Sequence, residues 1–208
     1  MGRNIAVICL NNDLDPIHYF MEEITNCSMI IACDGAYERL LLEGIEPHLV
    51  IGDFDSTRID QSKIQCVLDK NQDINDFEKA LIYAKDKDVE EIIVFGLKGG
   101  DPHHEFSNQM ILFAHEQNIR AYTSDSTLMR LLPGRKYSIR IEEKSNFSLF
   151  TNEYISDICV SGAKYSLQNG TLSLGSNGLH NQSISGVIQI EYSGGSLILL
   201  SNGFIHFE

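Results

Sequence analysis

The sequence predicts an α/β fold in two parts. A mostly parallel, doubly wound α/β domain spans residues 1–130, and an antiparallel β-sandwich domain spans residues 131–208. Three observations carry this. Short apolar runs alternate with helix-period segments in the first part. Nine of the 16 glycines fall after residue 130, where they punctuate short β-prone runs. The charge is also uneven. After residue 130 there are five Lys/Arg and six Asp/Glu, so −12 of the formal −13 lies in the first part.

In chain order, NIAVICL (4–10), SMIIA (28–32), HLVI (48–51), EIIVF (91–95) and RAYTS (120–124) read as strands. Four of them are continuous apolar runs, as expected for strands buried on both faces. From Asn75, the spacing of Phe77, Ala80, Leu81 and Ala84 predicts a helix. Asn75 and Glu78 resemble a capping box at its start. A second stripe, Phe106, Met110, Phe113 and Ala114, predicts another helix. Near Leu132-Pro133-Gly134 the character changes to short strands such as SIRI, FSLF, TLSL, GVIQIEY and SLILL. Ser193-Gly194-Gly195 is expected to be a hairpin turn between the last two.

A chain this acidic is not drawn to nucleic acid. No apolar run approaches the ~20 residues that span a bilayer. The N-terminus reads as a first strand and not as a signal peptide. Five cysteines without a CxxC pair fit a reducing cytoplasm, with each expected as a small core residue.

Ligands of open parallel sheets bind outside the carboxyl ends of the strands. Acidic motifs stand at such ends. Asp34 follows SMIIAC, Asp53 and Asp55 follow HLVIG, and Asp73 and Asp76 flank the start of the helix near Asn75. If VIGDFDS continues extended, Asp53 and Asp55 point to one side and Phe54 to the other. Gly52 lets a ligand or another backbone approach. Carboxylates held together favour a hard cation, and Mg²⁺ commonly takes one or two of them plus substrate phosphates. Each motif also has a plainer reading as turn or helix-start chemistry, and Lys79 as a helical partner of Asp76. In GLKGGDPHHEFSN (96–108), Gly96, Gly99 and Gly100 would let backbone N–H groups face phosphate oxygens. Asn108, one helical turn past His104, faces the same cleft as that histidine. His103 and His104 are expected in polar supporting roles. No P-loop, GxGxxG or GxSxG motif is present.

The series CDGAYERLLLEGIEPHLVIGDFDS, NQDINDFEKAL and GLKGG followed by HHEFSN resembles the thiamine pyrophosphokinase family, over nearly the whole chain. GAKYSL and GSNGLHN resemble that family's thiamine-binding sandwich. The resemblance implies Mg²⁺-dependent transfer of pyrophosphate from ATP to thiamine, giving thiamine diphosphate and AMP. It also implies a homodimer with active sites between subunits. Asp53, Asp55 and Asp76 match the metal and phosphate acids, with one of these or Asp73 as proton acceptor. Asp34 and Gly35 match the family's DGG motif, and Lys79 matches a polar position near the third acid. Gly99, Gly100, His104 and Asn108 match its glycine loop and the segment that closes it. Tyr165, Ser176 and Asn177 match the thiamine site. Three departures stand out. Ala36 replaces a glycine, Asp101 stands where arginine is usual, and His103 where aspartate is usual. Alternatives are a pyrophosphokinase for another hydroxymethyl heterocycle, pterin-like in kind, a non-catalytic nucleotide- or thiamine-binding protein, or a Mg²⁺ phosphohydrolase.

Overall fold

The computed structural model describes residues 4–54, 59–60 and 62–207. The chain folds into two compact units, one of residues 1–111 with 121–124 and one of residues 112–120 with 125–208.

In the first unit, β1 (Ile5–Cys9), β2 (Met29–Cys33), β3 (Leu49–Gly52), β4 (Gln65–Leu68) and β5 (Glu91–Phe95) lie side by side. Their order is β5-β1-β2-β3-β4, and the pairs are parallel. Val7 stands opposite Ile30 on one side and Ile93 on the other. Most residues of these strands, apart from β4, are fully buried, which is why their sequences are apolar without alternation. The connections run through a 3-10 turn (Ile17–Phe20), α1 (Met21–Asn26), α2 (Ala36–Leu42) and α3 (Asp76–Lys85). Parallel pairing places residues 10–13, 34–35, 53–54 and 96–100 at one edge, beyond the strand ends.

α3 begins where the sequence expects it. The Asn75 side chain accepts from the backbone N–H of Glu78 at 3.0 Å, and Phe77, Ala80, Leu81 and Ala84 are buried. α4 (Pro102–Ala114) differs from expectation. The Phe106, Met110, Phe113 and Ala114 stripe is not its buried face, since Phe106 is 68% exposed and Met110 44%. The buried residues are Asn108 and Leu112. β6 (Asn118–Tyr122) follows, and its last residues belong to the first unit.

The second unit is an antiparallel sandwich. One layer has the order β12-β9-β14-β7, from Asn181–Gln182, Asn146–Thr151, Leu197–Asn202 and Ser126–Leu131. The other has the order β11-β10-β13-β8-β15, from Leu167–Leu172, Ile155–Ser161, Val187–Glu191, Lys136–Arg140 and His206–Phe207. Leu131, Phe147, Leu197 and Leu199 of the first layer meet Ile139, Ile158, Ile188 and Ile190 of the second in one core. KYSIR alternates between exposed and buried, as a half-buried strand must. Ser193-Gly194-Gly195 is not a hairpin turn. β13 pairs with β8 and β10, and β14 with β7 and β9, so this turn carries the chain between layers.

All five cysteines are free. Cys9 and Cys33 are core residues, but Cys27, Cys66 and Cys159 are only partly buried. Among the described residues no helix is long and apolar enough to cross a membrane.

Candidate active site

The carboxyl edge of the parallel sheet holds a cleft of about 370 Å³. Its walls include Asn11 and Asn12 after β1, Cys33 at the end of β2 and Asp34 just beyond it, Asn75 and Asp76 at the start of α3, and Asp101, His104 and Asn108 of the α4 segment.

Asp34 is buried and takes a left-handed backbone, with φ of 39°. A non-glycine residue rarely adopts this conformation. Its N–H still donates to the Ile51 carbonyl at 2.9 Å, extending the ladder between β2 and β3. The resulting bend brings its side chain over Gly52. A Cβ at Gly52 would stand 3.1 Å from the Asp34 Cβ and 3.4 Å from an Asp76 carboxylate oxygen. Two acids from separate crossovers thus meet above one glycine.

Asp76 opens α3. Its Oδ1 accepts from Lys79 Nζ at 3.0 Å, and the same ammonium donates to the Asp69 carbonyl at 3.0 Å. The Lys79 side chain is 4% exposed and that of Asp76 28%. Burial pushes the Asp76 carboxyl above its ordinary value; Lys79 opposes this, and the Asp34 and Asp53 charges add to the rise. Asp53 accepts from Gln72 Nε2 at 2.9 Å. Phe54, next along, has a φ of 59°, so the chain does not continue extended through the DFD motif. The alternation argument for Asp53 and Asp55 fails there for that reason. Asp55 lies outside the described residues. Asp73 is exposed, with its N–H held by Asn71 Oδ1 at 2.9 Å, and it does not line the cleft.

The glycine loop is arranged differently from expectation. The N–H groups of Gly99 and Gly100 both donate to Glu105 Oε1, at 2.7 and 3.0 Å. Asp101 caps α4, accepting from the N–H groups of His103 and His104 at 2.9 and 3.2 Å. Those bonds hold its carboxyl below the usual carboxylate range, the His104 N–H foremost. His104 reaches the cleft, while His103 is exposed and absent from its lining.

Asn11 and Asn12 were not singled out from the sequence, yet they shape the wall. The Asn11 side chain fills the space where Gly35 would carry a Cβ, at 2.3 Å, and Asn12 does the same at Gly100, at 2.0 Å. Asn12 Nδ2 donates to the Gly96 carbonyl at 2.8 Å. The signal was available, because NND directly follows the first strand, at the same edge as the acids.

Asp34, Asp53 and Asp76 offer carboxylate oxygens, which suit a hard divalent ion. Among the described residues no three His, Cys, Asp or Glu side chains converge to hold an ion alone. Two carboxylates completed by ligand oxygens is the arrangement that fits.

The remaining candidates belong to the second unit. Tyr165 is 60% exposed, and its backbone is clasped by the Asn181 side chain at 3.0 and 2.7 Å. Lys164 Nζ lies 5.3 Å from its ring centre. Ser176 and Asn177 are exposed in a turn, where the Asn177 side chain accepts from the Ser173 N–H at 3.4 Å.

Comparison with known proteins agrees from three directions. The family model described as thiamin pyrophosphokinase, catalytic domain, matches residues 20–123. The thiamine pyrophosphokinase of Bacillus subtilis (strain 168) is 30% identical over 157 residues, covering 70% of this chain and 73% of that protein. The crystal structure of thiamine pyrophosphokinase from Bacillus subtilis matches with a TM-score of 0.83 at 24% identity, covering 96% of this chain and 99% of that one. Thiamin pyrophosphokinase from Geobacillus thermodenitrificans matches with a TM-score of 0.81, also at 24% identity, covering 96% and 98%. That from Candida albicans gives 0.75 at 16% identity, covering 97% and 90%.

Proposed function

The chain belongs to the thiamine pyrophosphokinase family, a family of diphosphotransferase enzymes, and from that premise we propose that it transfers pyrophosphate from ATP to the hydroxyl of thiamine. The observation that carries this reading is the meeting of Asp34 and Asp76 over Gly52, beside a cleft at the carboxyl edge of a parallel sheet. Acids from separate crossovers converge where a polyphosphate has room.

The thiamine hydroxyl oxygen forms a bond to the β-phosphorus of ATP. The bond from that phosphorus to the α-β bridging oxygen breaks, AMP leaves, and a proton is released from the hydroxyl. Asp53, Asp55 and Asp76 would hold Mg²⁺ together with phosphate oxygens. The bound ion supplies charge neutralisation to the polyphosphate. Lys79 fixes the Asp76 carboxylate, and Asp34 shapes the cleft from beneath. One of Asp53, Asp55 and Asp76, or Asp73 outside the cleft lining, takes the hydroxyl proton. Gly35, Gly99, Gly100, His104 and Asn108 border the nucleotide. Tyr165, Ser176 and Asn177 receive thiamine, the tyrosine by stacking on its ring. In this reading residues 1–130 carry ATP and Mg²⁺, residues 131–208 carry thiamine, and the protein works as a cytoplasmic homodimer.

The test is incubation of the purified protein with ATP, MgCl₂ and thiamine, with products resolved by chromatography. Equal amounts of AMP and thiamine diphosphate are expected. Asp53→Asn, Asp55→Asn and Asp76→Asn should each lower turnover by roughly 10²-fold or more, as loss of an electrostatic catalytic group does. Wild-type rates in these variants, or release of inorganic phosphate in place of AMP, would refute the assignment.

A further inference from the structure

Asn108 is 5% exposed and sits in the cleft wall on α4. Its Oδ1 accepts from Asn75 Nδ2 at 2.8 Å. Asn75 is not free to turn over, because its own Oδ1 caps α3 by accepting from the Glu78 N–H at 3.0 Å. A side-chain amide has one accepting end and one donating end. The cap therefore fixes the donating end of Asn75 toward Asn108, and Asn108 must meet it with its oxygen. The NH₂ group of Asn108 is the end left over. Among the described residues it has no acceptor. That end is open to the cleft that Asn108 lines.

The cleft gives those N–H groups a purpose. Its lining contains Asp34, Asp76 and Asp101 but no lysine or arginine. An anionic oxygen entering it must be met by amides, by His104 or by an accompanying cation. We propose that Asn108 donates to a phosphate oxygen of the bound nucleotide, and that Asn75 is the positioning residue deciding which end of Asn108 faces that oxygen. This rests on the cleft being the nucleotide site. It goes further in naming the donor and the device that orients it.

The two residues are separable by substitution. Asn75→Asp keeps the α3 cap, since aspartate caps as well as asparagine, but it cannot donate to Asn108. Asn108 then turns its NH₂ toward the new carboxylate and its carbonyl toward the ligand. Asn108→Asp keeps an acceptor for Asn75 and removes the donor, so it preserves the link while facing the ligand with oxygen.

The experiment is calorimetric titration of each protein with ATP and MgCl₂, without thiamine, alongside melting temperatures. Asn108→Ala should weaken binding roughly tenfold or more, the size of a hydrogen bond to a charged group. Asn75→Asp should weaken it comparably in the wild-type background, and far less once Asn108 is already alanine. If Asn108→Ala loosens the fold, Asn108→Leu, which keeps the side-chain shape and adds no charge, carries the same test. Equal losses from Asn75→Asp in both backgrounds would mean that its added charge acts directly, and would overturn the positioning role. Unchanged affinity in Asn108→Ala, Asn108→Leu and Asn108→Asp would overturn the donor role while the site reading stands. No binding of ATP by the wild-type protein would refute the site reading and the proposal together.

Discussion

Lys79→Met removes one charge from beneath the acidic group and keeps most of the side chain's apolar stem. Lys79 Nζ makes two bonds, to Asp76 Oδ1 and to the Asp69 carbonyl, each at 3.0 Å. With its side chain 4% exposed, the ammonium has almost no other contact with water. Removing one partner of a fully buried ion pair costs about 3–5 kcal/mol. Asp76 is 28% exposed and regains some hydration, so a cost of roughly 2–3 kcal/mol is the better figure here. For a chain of this length that lowers the melting temperature by roughly 5–10 °C. A second effect follows from charge. Asp34, Asp53 and Asp76 would lose the Lys79 ammonium, and a divalent ion would make up for it. Added MgCl₂ should therefore raise the melting temperature of the variant more than that of the wild type. Differential scanning fluorimetry with and without MgCl₂ measures both effects. A variant that melts within about 1 °C of wild type, or gains nothing extra from the ion, would show that Lys79 does not balance these carboxylates.

Gly52→Ala tests how closely the acids are packed. The backbone there is not left-handed, so the fold should persist, but the new Cβ pushes Asp34 by a few tenths of an ångström. AMP formation should fall by roughly tenfold, since misplacement of about 1 Å costs about 10²-fold, and an unchanged rate would show that Asp34 is not held in register with Asp76. Asp101→Ala tests the α4 cap. The Asp101 carboxyl lies below its ordinary value in the folded protein, so its contribution is complete above the unfolded value near about 4 and is lost as pH falls through the lower folded value. The melting temperatures of wild type and variant should differ at neutral pH and converge in acid. A gap that stays constant with pH would refute the cap.

The parallel strands were legible because burial on both faces leaves an unbroken apolar run, as in IAVIC and EIIVF. β4 was not, since Gln65–Leu68 is only partly buried and gives no such run. Periodicity announced α4 but named the wrong face. Its outward side carries Phe106 and Met110, and its inward side carries Asn108, because the inward side borders a polar cleft. The presence of Asp34 and Asp76 at the cleft was legible from charge and position together; Asp73, named by the same argument, does not line it. The local backbone was not legible. A left-handed Phe54 leaves no mark in DFD, and Asn11 and Asn12 carry no charge to draw notice, although they fill the space beside Gly35 and Gly100.

The glycine loop and the helix start behind it carry two acids, Asp101 and Glu105. A negative charge repels an anion only when it faces it unbalanced. Asp101 spends its carboxylate on the N–H groups of His103 and His104, at the positive end of a thirteen-residue helix. Glu105 spends one oxygen on the N–H groups of Gly99 and Gly100. Both charges are therefore engaged by backbone dipoles of their own segment. An arginine at position 101 would add a cation to the cleft but would leave the His103 and His104 N–H groups without this cap. The trade exchanges a mobile cation for a fixed helix start. A fixed helix start is also what holds Asn108 against Asn75, and so keeps a neutral donor where the cleft lining has neither lysine nor arginine.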